Sequence, residues 1–187
     1  MKLILGSKSP RRAQILEHFQ IPFTLRQSQV DESQITNSIP YERAQMLSEL
    51  KSQAITIEED EILLTSDTIV TMSGSILEKP TTKDEARYML QRLSGETHTV
   101  ITAYTLRTVD KWETELVKTN VAFYKLTDEE IEAYIETDEP YDKAGGYGIQ
   151  EKGALFVKHI KGDYLNVVGL PISKLVRSLK DFGMHIV

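Results

Sequence analysis

The run from Ile62 to Met72, Ile-Leu-Leu-Thr-Ser-Asp-Thr-Ile-Val-Thr-Met, constrains this chain more than any other stretch. It is the most strand-like segment of the sequence, apolar and β-branched on both sides of an interruption at Ser66-Asp67-Thr68. A carboxylate inside such a run is costly unless it is paired, metal-bound or at a strand end. In an α/β sheet, a carboxylate at a strand end commonly points into the ligand crevice. Asp67 is therefore the sharpest single candidate for chemistry, with a turn or capping aspartate as the alternative reading.

A second constraint sits at Leu3-Ile4-Leu5-Gly6-Ser7-Lys8-Ser9-Pro10-Arg11-Arg12. Three apolar residues read as the end of a buried strand, and Gly6 to Ser9 as a tight polar loop. Pro10 suits the first position of a helix, where its missing N–H is not needed, and Ser9 is expected to cap that helix with its side chain. Arg11 and Arg12 oppose the partial positive charge of a helix N-terminus, each by about 0.3–1 kcal/mol. Both make sense if an anion sits in front of them. Hydroxyls, backbone donors and guanidiniums in one place would cradle a phosphate; a surface turn with two solvated arginines is the alternative.

The remaining elements alternate. Helices are expected over Pro10 to Gln20, with Ile15, Leu16 and Phe19 facing the core, and from Pro40 to about Ile55, with Ala44, Leu47 and Ala54 on its apolar stripe. Lys51 falls on that stripe, where snorkelling to the edge is the favoured reading over reaching into a site. Ile21 to Leu25 reads as a short strand. Thr82 with Glu85 and Thr127 with Glu130 are capping boxes that open further helices. Thr97 to Arg107 and Trp112 to Lys125 form an antiparallel hairpin. Gly148 to Gln150, Ala154 to Ile160 and Tyr164 to Val168 read as strands, before a last helix that ends near Phe182-Gly183. Parallel-type crossovers mixed with hairpins argue an α/β or α+β domain on a mixed sheet. At 187 residues, one domain spanning 1–187 is expected.

Composition narrows the function classes. With 22 Lys and Arg against 28 Asp and Glu, the net charge of −6 disfavours non-specific binding to nucleic acid or anionic membrane, so any phosphate must be caught in a local basic pocket. The absence of cysteine removes disulfides, thiolate catalysis and Cys-based zinc sites. No apolar run approaches the roughly 20 residues needed to span a bilayer, and Gly6 to Arg12 interrupts any signal-peptide core, so a cytoplasmic location is expected. Walker A, G-x-G-x-x-G, H-E-x-x-H and G-x-S-x-G signatures are all missing. Glu32, after Val30-Asp31, is a second candidate carboxylate, and two carboxylates with phosphate oxygens are the usual shell of Mg²⁺. Lys79, held extended by Pro80, is either a fixed phosphate contact or a solvated loop lysine. The glycine-rich Asp142 to Gln150 loop would let backbone approach a ligand. The residues alone thus reach a metal-assisted phosphate-ester or anhydride enzyme, or a nucleotide-binding domain.

Gly6-Ser7-Lys8-Ser9-Pro10-Arg11-Arg12, Val30-Asp31-Glu32, Lys51, Ser66-Asp67-Thr68-Ile69-Val70, Glu78-Lys79-Pro80, Leu93-Ser94-Gly95, Asp142-Lys143-Ala144-Gly145 to Gln150 and Val168-Gly169-Leu170-Pro171 resemble, in order and spacing, the Maf family. The resemblance covers almost the whole chain. It implies an elongated mixed α/β sheet flanked by helices with a central cleft, related to the inosine triphosphate pyrophosphatases. It also implies a nucleoside triphosphate pyrophosphatase that releases a nucleoside monophosphate and pyrophosphate. Arg12, Thr68 and Gln150 match the branch acting on dTTP and UTP, whereas the branch acting on 7-methyl-GTP carries Trp, Gln and Glu there. The family's catalytic aspartate falls on Asp67. Ser66 and Ser52 depart mildly from the family pattern. Joined with the reading of the residues, the resemblance further implies a divalent cation, Mg²⁺ or Mn²⁺, on Glu32, Asp67 or both, and phosphate contacts from Ser7, Arg11, Arg12, Lys51 and Lys79. Thr68 and Gln150 would meet the pyrimidine edge. A homodimer is expected. The rival readings are a non-catalytic nucleotide sensor in cell division and a clean-up enzyme for modified pyrimidine triphosphates.

Overall fold

The computed structural model describes residues 1–27 and 29–186. Among the described residues, seven strands form one mixed sheet in the order β2-β1-β3-β5-β6-β7, with β4 paired to β3. The strands are β1 Lys2–Leu5, β2 Thr24–Leu25, β3 Glu61–Met72, β4 Ser75–Leu77, β5 Thr97–Arg107, β6 Trp112–Phe123 and β7 Val157–Lys161. The helices are α1 Pro10–His18, α2 Pro40–Gln53, α3 Lys83–Leu93, α4 Asp128–Ile135, α5 Tyr164–Val168 and α6 Ile172–Asp181. The β1 strand runs parallel to β2 and β3, while β3, β5, β6 and β7 are successively antiparallel.

Side chains alternate along β3, so each face of the sheet meets a different layer. Leu63 and Ile69 pack towards α2, among Ala44, Leu47 and Ile55, with Ile101 and Ala103 of β5. Leu64 and Val70 join the larger core on the other face with α1, α3, α4 and α6. Hydrogen bonds tie α2 to β3 as well: Thr65 Oγ1 donates to the Ser48 carbonyl at 2.8 Å.

The geometry that places the site lies along one edge of β3. Its β5 edge is paired from Leu63 to Thr71. On the opposite edge, β1 pairs only as far as Leu64, and β4 begins at Val70. Gly6 follows β1 where the chain passes close to β3 and to the segment just after α2: a Cβ would lie 2.7 Å from both Ile55 Cδ1 and Thr65 Cγ2. Between Leu64 and Val70 the edge is left without a ladder partner among the described residues, and Asp67 sits at its middle. Asp67 is thus not at a strand end. It lies within a continuous strand, beside a notch where one neighbour has stopped and the next has not begun.

Several sequence expectations change. Phe19 is exposed, because α1 ends at His18 and Gln20 turns the chain at φ 53°. Ala54 is exposed beyond the end of α2. Ser9 does not cap α1; its N–H instead donates to Ser7 Oγ at 3.1 Å. Glu130 and Thr127 complete a capping box, whereas Glu85 turns its carboxylate to the N–H and hydroxyl of Thr81. Only Thr24–Leu25 of the expected early strand is paired. Gly148 to Gln150 form no strand, and Ala154 lies in a 3₁₀ turn before β7. Tyr164–Val168 is a helix capped by Asp163, whose carboxylate accepts from the N–H groups of Leu165 and Asn166.

Candidate active site

A cleft of about 750 Å³ opens at the β3 notch, reached by side chains from both layers. From the α2 side, Lys51 Nζ donates to Asp67 Oδ1 at 2.6 Å and lies 3.2 Å from Glu32 Oε1. The Lys51 and Asp67 side chains are only 15% and 13% exposed, while Glu32 is half exposed on a 3₁₀ turn, Glu32–Gln34. Lys51 does not snorkel away; the charge of Asp67 turns it inward. Burial pushes the Asp67 carboxyl above its ordinary value, against the opposing pull of Lys51 and Arg12.

From the opposite layer, α1 brings the two arginines, which diverge. Arg12 is buried: its Nε donates to the Gly169 carbonyl at 2.9 Å, one Nη to Ser7 Oγ at 3.1 Å and the other to Thr68 Oγ1 at 3.2 Å. Burial lowers its affinity for the proton, which Asp67 and Glu32 partly offset. Arg11 points to the rim and donates to Asp142 Oδ2 at 2.9 Å. The anion expected in front of Arg11 is here a carboxylate of the chain itself. Asp142 also accepts from Lys143 at 2.7 Å. Burial would raise the Asp142 carboxyl, but its two cationic partners together hold it below the usual value.

The direction of each proton near Thr68 can be followed. Thr102 Oγ1 donates to the Asn166 carbonyl at 2.8 Å, an oxygen that only accepts. Thr68 must therefore donate its own proton to Thr102, 2.9 Å away, while it accepts from Arg12. One Thr68 lone pair remains for the cleft. Ser7 is the converse case. Its oxygen accepts from both Ser9 N–H and Arg12, so its O–H is left to donate.

Lys79 and Gln150 line the same cleft and are exposed. The structure therefore brings Ser7, Arg11, Arg12, Glu32, Lys51, Asp67, Thr68, Lys79 and Gln150 around one space. The glycine loop forms its far wall: Gly145, at φ 76°, donates its N–H to the Glu78 carbonyl, and a Cβ there would lie 2.9 Å from Val70. Tyr147 anchors the loop in the core, its hydroxyl 2.7 Å from His98 Nε2. Burial pushes His98 down to about 4, so the ring is neutral at pH 7. Sequence reading missed Arg43 and gave Lys143 no role. The signal for Arg43 was present, since Arg43, Leu47 and Lys51 recur every four residues on one face of α2 and all three line the cleft.

The donor set also bears on a divalent cation. The carboxylates of Glu32 and Asp67 meet at one point, which the Lys51 ammonium now fills. Among the described residues, no third His, Cys, Asp or Glu joins them in a metal-holding group. Two carboxylates without nitrogen or sulfur fit a hard ion such as Mg²⁺ or Mn²⁺, which completes its shell with phosphate oxygens and water.

The family described as "Maf-like protein" matches residues 2–182. The chain belongs to the Maf family. A dTTP/UTP pyrophosphatase of Bacillus velezensis is 47% identical over 184 residues, covering 98% of this chain and 97% of the relative. A dTTP/UTP pyrophosphatase of Halalkalibacterium halodurans is 50% identical over 182 residues, covering 97% and 96%. Among solved structures, the Staphylococcus aureus Ham1 protein superposes with a TM-score of 0.53 at 12% identity, over 97% of this chain and 100% of that one. A HAM1 protein from Coxiella burnetii gives 0.52, also at 12%, over 97% and 99%. The expected mixed α/β sheet is therefore the fold of this Maf-family chain, shared with Ham1 proteins. No helix among the described residues is long and apolar enough to cross a membrane.

Proposed function

We propose that this protein is a nucleoside triphosphate pyrophosphatase that hydrolyses dTTP and UTP to the monophosphate and pyrophosphate. The observation that carries the reading is Asp67, buried at the open edge of β3 in a cleft lined by cations from both layers. Support comes from relatives near half identity, over almost their full length, that bear the name dTTP/UTP pyrophosphatase.

In this reading, Asp67 orients the attacking water at its carboxylate and accepts the proton as water adds to the α-phosphorus. Burial helps by raising Asp67 above an ordinary aspartate, whose pKa of about 3.9 would make it a weak base at neutral pH. Lys51 holds the carboxylate in place until cation and substrate enter, and then offsets the charge that gathers on the phosphate oxygens. Ser7 donates its free O–H to a phosphate oxygen. Arg11 and Lys79 offer cations at the rim, and Arg11 exchanges Asp142 for phosphate. Glu32 and Asp67 would hold a divalent cation, which when bound supplies electrostatic stabilisation of the phosphate oxygens and a more acidic water.

Arg12 acts through its neighbours, fixing both Ser7 and Thr68. The lone pair left on Thr68 can accept the N3–H that thymine and uracil carry. Cytosine presents an acceptor at that atom, so Thr68 would face it lone pair to lone pair. Gln150, exposed in the cleft wall, has both an amide donor and a carbonyl for the rest of the edge. A half-buried acceptor left unpaired by the wrong base is a source of discrimination. A homodimer, implied by the family resemblance, and the cytoplasmic residence expected from the sequence complete the reading.

The test is pyrophosphate release from dTTP, UTP, CTP, 7-methyl-GTP and ITP with Mg²⁺, with Mn²⁺ and with chelator, alongside Asp67→Asn. Metal-dependent turnover of dTTP and UTP, lost in the variant, is the expected result. Preference for 7-methyl-GTP would overturn the base assignment. Tight nucleotide binding without pyrophosphate from any substrate would make the protein a sensor instead.

A further inference from the structure

Arg43 is a cleft-lining cation to which the proposed function assigns no part. It stands on the same stripe of α2 as Lys51, about 12 Å away along the helix axis by the rise of eight residues. Its environment is half-made. One Nη is ion-paired with Glu78 Oε1 at 2.8 Å without a hydrogen bond between them, while Nε is buried with no acceptor. The Arg43 side chain is 25% exposed and its partner Glu78 is 61% exposed, so the carboxylate is the easier of the two to displace. Glu78 directly precedes Lys79, which brings a second cation to the same part of the cleft. A guanidinium whose five-donor fork meets only one carboxylate oxygen, in an ion pair, is poised for an anion with more oxygens.

We propose that Arg43 is a further substrate-binding residue, a contact for the pyrophosphate end of the triphosphate, held until then by Glu78. This rests on the pyrophosphatase reading, which puts the α-phosphorus at Asp67 and Lys51. Thr68, which would read the base, projects from the other face of β3, with Arg12. The β- and γ-phosphates then extend along α2 past Leu47, towards Arg43 and Lys79. Entry of the triphosphate exchanges one ion pair for another, and Glu78 is released to solvent.

The experiment compares wild type, Arg43→Met and Glu78→Gln in the full chain, following monophosphate release from dTTP, UTP and CTP with added inorganic pyrophosphate as inhibitor. Arg43→Met should raise the pyrophosphate inhibition constant, and KM for dTTP and UTP alike, by roughly tenfold or more. The dTTP-to-CTP ratio should not move. Glu78→Gln frees the guanidinium and should shift both constants the other way, by roughly threefold. If the pair were only a clip between α2 and β4, both substitutions would shift the constants in the same direction, and the proposal fails. It also fails if Arg43→Met changes the base preference or leaves pyrophosphate inhibition intact. A wild type that turns over no triphosphate would instead overturn the pyrophosphatase reading. Calorimetric titration of inorganic pyrophosphate into the same three proteins would then still decide Arg43, with weaker binding in Arg43→Met supporting it and equal binding refuting it.

Discussion

Replacing Lys51 by methionine keeps most of the side chain's bulk and removes the charge that faces Asp67 at 2.6 Å. Breaking a buried ion pair from one side costs about 3–5 kcal/mol, because a charge is left without its partner. Both side chains keep a little exposure through the cleft, 15% and 13%, so the lower end, about 3 kcal/mol, is expected. For a chain of this size that lowers Tm by roughly 6–12 °C. Asp67→Asn should cost less, about 1–2 kcal/mol, since Lys51 retains Glu32 at 3.2 Å. The double variant removes both charges and should return to within about 1 kcal/mol of wild type.

The same reasoning fixes the pH dependence. Burial raises Asp67 above its unfolded value, and losing Lys51 removes the chief opposing influence. A folded state that holds its proton more tightly than the unfolded state loses stability as pH rises from the unfolded pKa through the folded one. The deficit of Lys51→Met should therefore be largest at neutral pH and shrink towards pH about 4. Urea unfolding of the four proteins at neutral and acid pH measures this directly. Additive single-variant losses, or a Lys51→Met deficit that does not shrink in acid, would refute the claim that Lys51 compensates a buried charge.

Two further outcomes follow from other contacts. Thr68→Val removes the lone pair and leaves Arg12 with an empty donor; the dTTP-to-CTP ratio of kcat/KM should fall by roughly 10- to 100-fold, and an unchanged ratio would dismiss the proton chain through Thr102 and Asn166. At the other end of β3, buried Glu61 accepts two bonds of 2.6 Å from Arg26, which hold its carboxyl below the usual value. That stabilisation is present above the unfolded pKa and lost as pH falls through the folded one. Glu61→Gln should accordingly flatten the acid side of the stability profile between about pH 5 and pH 3, opposite in sign to Asp67.

Where local chemistry decides structure, the sequence already shows it. Thr97 to Arg107 is bounded as expected because its β-branched run ends at the turn before Trp112, and Thr127 with Glu130 forms the box its spacing announces. Tyr164 to Val168 misleads because its residues favour a strand, while tertiary contacts require a helix there. Buried Asn166 must reach the Val100 carbonyl at 3.2 Å and Thr119 Oγ1 at 2.9 Å, which links it to strands more than forty residues away. Lys51 shows the same limit. Its stripe position was visible, but its direction depends on a carboxylate that only the β3 notch brings opposite it. The residues of the site were legible as chemistry; the ion pairs made by Arg11, Arg43 and Lys51 were not, because each joins two different elements of the chain.

The notch itself has a consequence for motion and for measurement. Asp67 rides on a strand whose far edge is zipped to β5 from Leu63 to Thr71, so the carboxylate proposed to act on water is carried by a firmly paired segment. Its partners belong to helices α1 and α2, a 3₁₀ turn and the surrounding loops. In the proposed reaction, adjustment should therefore fall on the partners, with Asp67 as the fixed reference against which they move. The backbone groups of residues 65–69 that face the notch meet no neighbouring strand among the described residues. Their amide protons should exchange with solvent far faster than those facing β5, and slow when the cleft fills. A single strand would then carry both an internal standard and an occupancy gauge in alternate residues.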